Sequence, residues 1–452
     1  MTLIEEDVLG TASGTVPTRG RGRWLQGYDP EDRAQWEAGG RAIARRNLWW
    51  SILTEFLGFV VWQLWAITVV FLPAAGFELS VSQSFWLISL PSLVGATLRI
   101  PYTFMVGRFG GRNWTVVSGL LLLLPAVGLG LAVSNPDTPF WVLLLVAATA
   151  GFGGGNFASS MANISFFFPA REKGWALGLN AAGGNLGAAV AQLAVPLVIS
   201  VGAAGALRLP MAGWVWVPLV LLAALGAWWR MDNLSDARSD VAGSLAAVRQ
   251  PHFWILALLY VGTFGSFIGF SAVFPKLIAD TYPQYSTFAL GAASLSLSFL
   301  GPLVGSLARP WGGRLADRLG GARMTVGAFA AMSALALCVV WTLPLRNFWL
   351  FLGLFLLLFV ASGLGNGATY KMIPTVYGLR GRAHLAAPAL GLVSAVGGYG
   401  GFIIPQVLSA AKQTTGGYEP AFLGFVGYYL AAMVLCWAVY LRRDGAMAAQ
   451  RV

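Results

Sequence analysis

Two arginines stand where arginine is costly. Arg99 and Arg309 each lie in an otherwise apolar stretch, nine residues ahead of a basic loop that begins at Arg108 or Arg318. An arginine at the centre of a membrane helix costs about 3 kcal/mol on insertion scales, so it normally faces a cavity or a partner. Acidic partners are scarce, because Glu55 is the one acid placed well inside such a stretch. A structural ion pair is the competing reading. One carboxylate cannot neutralise two guanidiniums, however, so positive charge is left over and an anion is its natural neutraliser. The guanidinium fork is planar and matches planar oxyanions. Nine residues of helix rise about 13 Å, so the two arginines sit at similar depth.

The elements that position them are membrane spans. The 452 residues are 57% hydrophobic and 10% charged, against about 25% charged in soluble domains. Runs such as Trp114–Val133 carry no charge and are long enough as helix to cross a hydrocarbon core of about 30 Å. Twelve spans are expected, near 47–73, 83–107, 114–133, 139–169, 175–203, 211–230, 252–278, 288–311, 324–344, 347–375, 386–411 and 421–441. The fold class is therefore all-α and polytopic. The net charge of +11 is segregated between alternate loops. Loops after even-numbered spans carry Arg108, Arg112, Arg171, Lys173, Arg230, Arg238, Arg249, Arg314, Arg318, Arg323, Arg380 and Arg382. Those after odd-numbered spans carry only Arg208, Lys276, Arg346 and Lys412. The positive-inside rule then places both termini in the cytoplasm.

This divides the chain into a cytoplasmic tail (1–46), a six-helix half (47–230), a cytoplasmic linker (231–251), a second six-helix half (252–441) and a short cytoplasmic tail (442–452). Within the first tail, Asp29–Arg46 reads as an amphipathic helix on the membrane surface, with Trp36 and Trp49 near the interface. Glu5, Glu6 and Asp7 give the reverse of a basic signal-peptide n-region. Cys338, Cys436, His252 and His384 have no disulfide or metal-ligand spacing. No Ser/His/Asp set, phosphate loop or haem-binding pair is visible, so the expectation is a transporter and not an enzyme. No cofactor, metal or nucleic-acid partner is expected, and the expected form is a monomer in the inner membrane.

The halves repeat. Arg99 and Arg108-Phe109-Gly110-Gly111 correspond to Arg309 and Arg318-Leu319-Gly320-Gly321, 210 residues on. The same offset pairs Gly155-Asn156 with Gly365-Asn366. Spans 2, 4 and 5 thus recur as spans 8, 10 and 11 in one direction, the parallel-repeat arrangement that holds substrate between halves near the midplane. Tandem six-span halves argue against a channel. Glycines at 151, 153, 154, 155, 178, 183, 184 and 187 allow close helix packing, which rocking of one half on the other also needs.

Three segments carry a family resemblance. Gly313-Arg314-Leu315-Ala316-Asp317-Arg318-Leu319-Gly320-Gly321 resembles the loop motif of the major facilitator superfamily, and the first-half copy lacks the aspartate. Gly153–Pro169 resembles the first nitrate signature of the NarK-type nitrate/nitrite porters, and Gly363–Thr369 the second. The resemblance implies the major facilitator fold of twelve helices and exchange of nitrate for nitrite, with a role in nitrate assimilation or respiration. It implies Arg99 and Arg309 as anion ligands, Phe157 and Phe264 as rings that sandwich the anion, Tyr260 as a hydroxyl donor and Asn185 as an amide donor. Asn180 is a nearby candidate. Gly155, Asn156, Gly365 and Asn366 mark the signatures. Asp317 with Arg318 reads as a conformational latch, and Lys371 as a residue snorkelling to the interface. Glu55 stands where exchangers of this family tend to have an apolar residue. It is the candidate proton-coupling group of an alternative, nitrate/proton symport. A carrier of another small monovalent anion is the more remote alternative.

Overall fold

The structure, a computed structural model, describes residues 17–201, 207–237, 240–442 and 452. Among them, eleven helical segments are long and apolar enough to cross a membrane. Spans 1–6 are Arg33–Thr68, Val81–Phe109, Gly111–Ala132, Phe140–Phe167, Ala170–Ser200 and Met211–Arg230. Spans 7 and 9–12 are Pro251–Thr281, Gly321–Thr342, Phe348–Leu379, Ala383–Thr415 and Glu419–Leu441. Span 8, the helix Leu300–Leu319, matches these in length but is less apolar, because it carries Arg309, Arg314, Asp317 and Arg318.

Span 8 begins later than hydropathy suggests. Phe288–Leu290 and Ala293–Leu295 pair as an antiparallel hairpin, turned at Gly291 with φ +60°. This segment has no charge, so composition alone cannot separate it from membrane helix.

The two halves stop their second helices in the same way. Span 2 ends at Gly110 (φ +85°, ψ 147°) and span 8 at Gly320 (φ +93°, ψ 137°). Backbone of that hand favours glycine, which explains the first glycine of the Gly-Gly in both loop copies. The helix crossings repeat as well. A Cβ on Gly154 would lie 2.9 Å from the Cα of Gly95, and one on Gly363 would lie 2.2 Å from the carbonyl oxygen of Gly305. Spans 2 and 4, and spans 8 and 10, therefore meet backbone to backbone.

The tail helix is continuous with span 1. Helix Arg33–Gln35 runs through a π turn at Trp36–Gly40 into Arg41–Thr68, so the expected 29–46 helix is the start of span 1. Trp36 is buried edge-on to Phe168, with ring centroids 5.8 Å apart, whereas Trp49 is exposed. Upstream, Trp24–Gln26 pairs in parallel with Asn233–Leu234 of the linker. Beside this ladder, Asp232 is wholly buried and receives Arg19 (3.2 Å), Arg23 (2.9 Å) and Arg46. The Tyr28 hydroxyl donates to the Phe167 carbonyl at 2.9 Å. Tail, linker start and the span 4–5 loop thus form one block on the face bearing the ends of the even-numbered spans, the terminal face.

The halves meet along spans 2 and 11, spans 5 and 8, and spans 1 and 7. Gln406 donates to Ser89 Oγ (2.7 Å), and Gln192 donates to the Ser271 carbonyl (2.6 Å). Asp232 tests the tail's attachment. Asp232→Ala leaves three partly exposed arginines without their acid. Because they can rehydrate, the expected cost is about 2 kcal/mol, below the 3–5 typical when a buried pair is broken. Limited proteolysis of purified protein should then cut the tail at least tenfold faster, with the spans intact. An unchanged cutting rate would contradict the clamp.

Candidate functional site

The Arg99 side chain is fully buried between the halves. Its Nε donates to the Gly154 carbonyl at 3.0 Å, and its Nη1 donates across the interface to the Ser394 carbonyl on span 11 at 2.9 Å. Its Nη2 has no hydrogen-bond partner. The guanidinium carbon lies 4.6 Å from the Phe157 ring centroid, 4.9 Å from that of Phe264 and 5.3 Å from that of Trp62. Arg309 approaches from the other half. Its Nη2 donates to the Tyr260 hydroxyl oxygen at 3.4 Å, and its Nη1 has no partner. Its guanidinium lies 5.7 Å from Phe157 and 5.4 Å from Tyr370. Both arginines thus share the Phe157 ring.

Ring geometry follows from the backbone of span 7, which passes through a π turn at Val261–Gly265. Such turns often mark functional sites because they redirect side chains. Here Tyr260 and Phe264 stack at 5.2 Å and 14°. Phe264 in turn lies near-parallel to Phe157, at 6.3 Å and 26°. The ion pairs among the described residues involve Asp232, Asp280 and Asp317, and neither Arg99 nor Arg309. Two charged forks therefore end in unsatisfied donors beside two flat rings. An unmet charged donor is costly when buried, and an anionic acceptor would satisfy both.

The chemistry points to an anion carrier, and the comparisons bear on it directly. The Major Facilitator Superfamily profile matches residues 54–405. The nitrate/nitrite transporter NarU of Escherichia coli is 42% identical, covering 93% of this chain and 96% of NarU. The chain belongs to the NarK-type nitrate/nitrite porter family of the Major Facilitator Superfamily. A probable nitrate/nitrite antiporter of Thermus thermophilus is 39% identical, over 94% of this chain and 98% of its own. Among solved structures, the nucleoside transporter NupG shares the fold with a TM-score of 0.62 at 12% identity, covering 87% of this chain and 99% of that one. The porter is a multi-pass membrane protein.

Glu55 of the porter is buried in span 1, and its closest partner is an amide, not an arginine. Its Oε2 accepts from Asn180 Nδ2 at 2.6 Å. The same amide lies 2.6 Å from Ser160 Oγ, which bonds Ser51 Oγ at 2.8 Å. Asn180 is thereby engaged with Glu55. Asn185 is buried with both amide atoms unpartnered, and so are Asn156 and Asn366 of the two signatures. Gly155 packs on Tyr102, and Gly365 on Ala328 and Thr263. Asp317 pairs with Lys371. Arg318, its expected latch partner, is exposed and forms no ion pair among the described residues.

Trp62, Ser394 and Tyr370 complete the site and were not singled out in the sequence. Trp62 lies seven residues after Glu55, and Tyr370 lies four after Asn366. Either spacing places a ring on the same helix face as a polar residue already noted. Trp62 donates its indole N–H to the Pro91 carbonyl at 2.8 Å, which fixes the ring against Arg99.

Lysine keeps the charge of arginine but loses its fork. Arg99→Lys and Arg309→Lys should each weaken binding of nitrate, used as a planar probe, by about 10–100-fold, the worth of one charge-assisted hydrogen bond. The variants should still insert. Phe157→Leu and Phe264→Leu should keep the fold and lose affinity. Titration of purified protein reads both sets. Wild-type affinity in both lysine variants, or in both leucine variants, would contradict the corresponding part of the site.

Proposed function

We propose that this porter moves nitrate and nitrite across the cytoplasmic membrane by alternating access, taking up nitrate and releasing nitrite by exchange. The observation that carries this reading is the arginine pair, one from each half, with free N–H groups beside the shared Phe157 ring. The names of the relatives, nitrate/nitrite transporters and antiporters, support the substrate. Nitrate is flat and monovalent, with three acceptor oxygens. A flat ion held between rings needs about 3.5 Å on each side, or about 7 Å between the rings. The Phe157 and Phe264 ring centroids stand 6.3 Å apart at 26°, so the rings must part to admit the ion between their faces. Arg99 and Arg309 hold it from the edges, and Tyr260 adds a hydroxyl proton that Arg309 does not use. Phe264 and the Phe157 ring cover its faces, with Asn185 as a further amide donor.

Exchange follows from the charge. Two guanidiniums facing each other across the interface repel, and an anion relieves the repulsion. The occupied halves, 47–230 and 252–441, can then rock past each other, while bare halves meet an electrostatic barrier. The Arg and Lys distribution supports a cytoplasmic terminal face. The direct test is nitrate uptake into proteoliposomes with and without internal nitrite. Internal nitrite should accelerate uptake several-fold, and equal rates would contradict exchange.

A second reading, nitrate/proton symport, rests on one observation. Glu55 is a buried carboxylate with Oε1 unpartnered and an amide on Oε2, so it can gain and lose a proton without breaking an ion pair. Protonated, it leaves both arginines free for the anion. In Glu55→Gln, symport predicts that accumulation driven by a pH gradient collapses while counterflow survives. Wild-type pH dependence in that variant makes Glu55 structural and leaves exchange as the mode.

A further inference from the structure

We propose that Lys371 is a second anion station, between the arginine pair and the terminal face, and that Asp317 is the built-in competitor that keeps anions from resting there. The inference builds on the nitrate/nitrite reading and assigns the next stop of that substrate.

Position comes first. Arg309, Gly313 and Asp317 are spaced by four on span 8, which aligns them on one helix face over about 12 Å. Gly313 contributes no side chain, and a Cβ there would find only the Gly367 carbonyl oxygen, at 4.0 Å. Span 8 therefore places no side chain on this face between Arg309 and Asp317, where the backbone of Gly367 packs against it. On span 10, Lys371 follows Tyr370, whose ring lies against the Arg309 guanidinium, and the lysine reaches Asp317 across the gap. Arg314, the other cation at this level of span 8, turns away: its guanidinium lies 5.2 Å over Trp311, a ring on the exposed side. An anion leaving Arg309 towards the terminal face meets Lys371 next.

Strength comes second. The Lys371 and Asp317 side chains are 43% and 53% exposed, and ion pairs of that exposure contribute about 0–1 kcal/mol. A small anion can therefore displace the carboxylate, and the carboxylate can displace the anion. A pathway site has to bind well enough to admit the ion and weakly enough to release it. A bare lysine near two arginines would trap anions, and the adjacent acid prevents that.

Asymmetry comes third. The residues 210 positions earlier are Gly107 and Met161, so the fold does not require the pair. It is confined to the second half, on the side of Arg309. The station binds a small monovalent oxyanion through one ammonium, without the planar fork of the main site, so it discriminates little by shape.

Sided exchange assays in proteoliposomes of known orientation test this. Lys371→Gln should raise the KM for nitrate at the terminal face about three- to tenfold and leave the KM at the opposite face unchanged. Asp317→Asn should move the same KM the other way, down about threefold, with slower turnover because the anion stays longer. Opposite shifts are the signature of a station with a competitor. A pair that only fastens span 8 to span 10 shifts both variants in the same direction, and that result overturns the proposal. If Lys371→Gln fails to insert, Asp317→Asn decides alone, and a terminal-face KM that does not fall overturns it. Wild-type protein that exchanges no nitrate overturns the substrate reading as well, an outcome distinct from loss of the station alone.

Discussion

Two guanidiniums with no acid between them set the terms for everything around them. Arg99 is kept in place by two backbone carbonyls, of Gly154 in its own half and Ser394 in the other. The Gly154 carbonyl is reachable because span 2 crosses span 4 at Gly95 and Gly154 with no side chain between the backbones. The same crossing, at Gly305 and Gly363, brings Arg309 into the mirror position. Around both cations the protein supplies ring faces instead of carboxylates. Phe157, Phe264, Trp62 and Tyr370 stabilise a cation without neutralising it. The residual charge stays available for an anion, which a salt bridge would have consumed.

The remaining structure keeps this arrangement in two movable pieces. The tail, with Arg19, Arg23 and Arg46 on Asp232, binds the linker's first residues to the first half. The linker helix Val241–Val248 is held on the second half, where the Tyr377 hydroxyl donates to the Ala247 carbonyl. Hydrogen bonds between halves are few and run mostly through side chains, such as Gln406 to Ser89 and Thr97 to Tyr399. Contacts of that kind can be exchanged, whereas the glycine crossings within each half cannot open without losing backbone packing.

Much of the site was legible in the sequence because charge inside apolar helix is rare and the 210-residue repeat is regular. Arg99 and Arg309 needed no relative to be noticed. The rings did. Phe157 and Phe264 are two of 28 phenylalanines, and only the signature resemblance separated them from packing residues. The π turn that stacks Phe264 on Tyr260 leaves no mark in composition. The hairpin at Phe288–Leu295 looked like membrane helix because it is uncharged. The tail clamp was hidden for another reason: Asp232 sits 186 residues from Arg46, and long-range ion pairs have no local pattern. The Asp317–Lys371 pair, likewise, crosses two helices, so the adjacent Arg318 was the nearer partner in sequence but not in space.

The central claim is that a flat slot with two forked cations selects a flat anion. It is tested most directly by comparing binding of nitrate and perchlorate to the purified wild-type protein. Both ions are monovalent and weakly hydrated, but perchlorate is tetrahedral and cannot lie between Phe157 and Phe264. The account predicts nitrate binding at least tenfold tighter, a difference of about 1.4 kcal/mol. Equal affinity would show that charge alone fills the site, and would contradict the role given to the rings and the planar guanidinium forks.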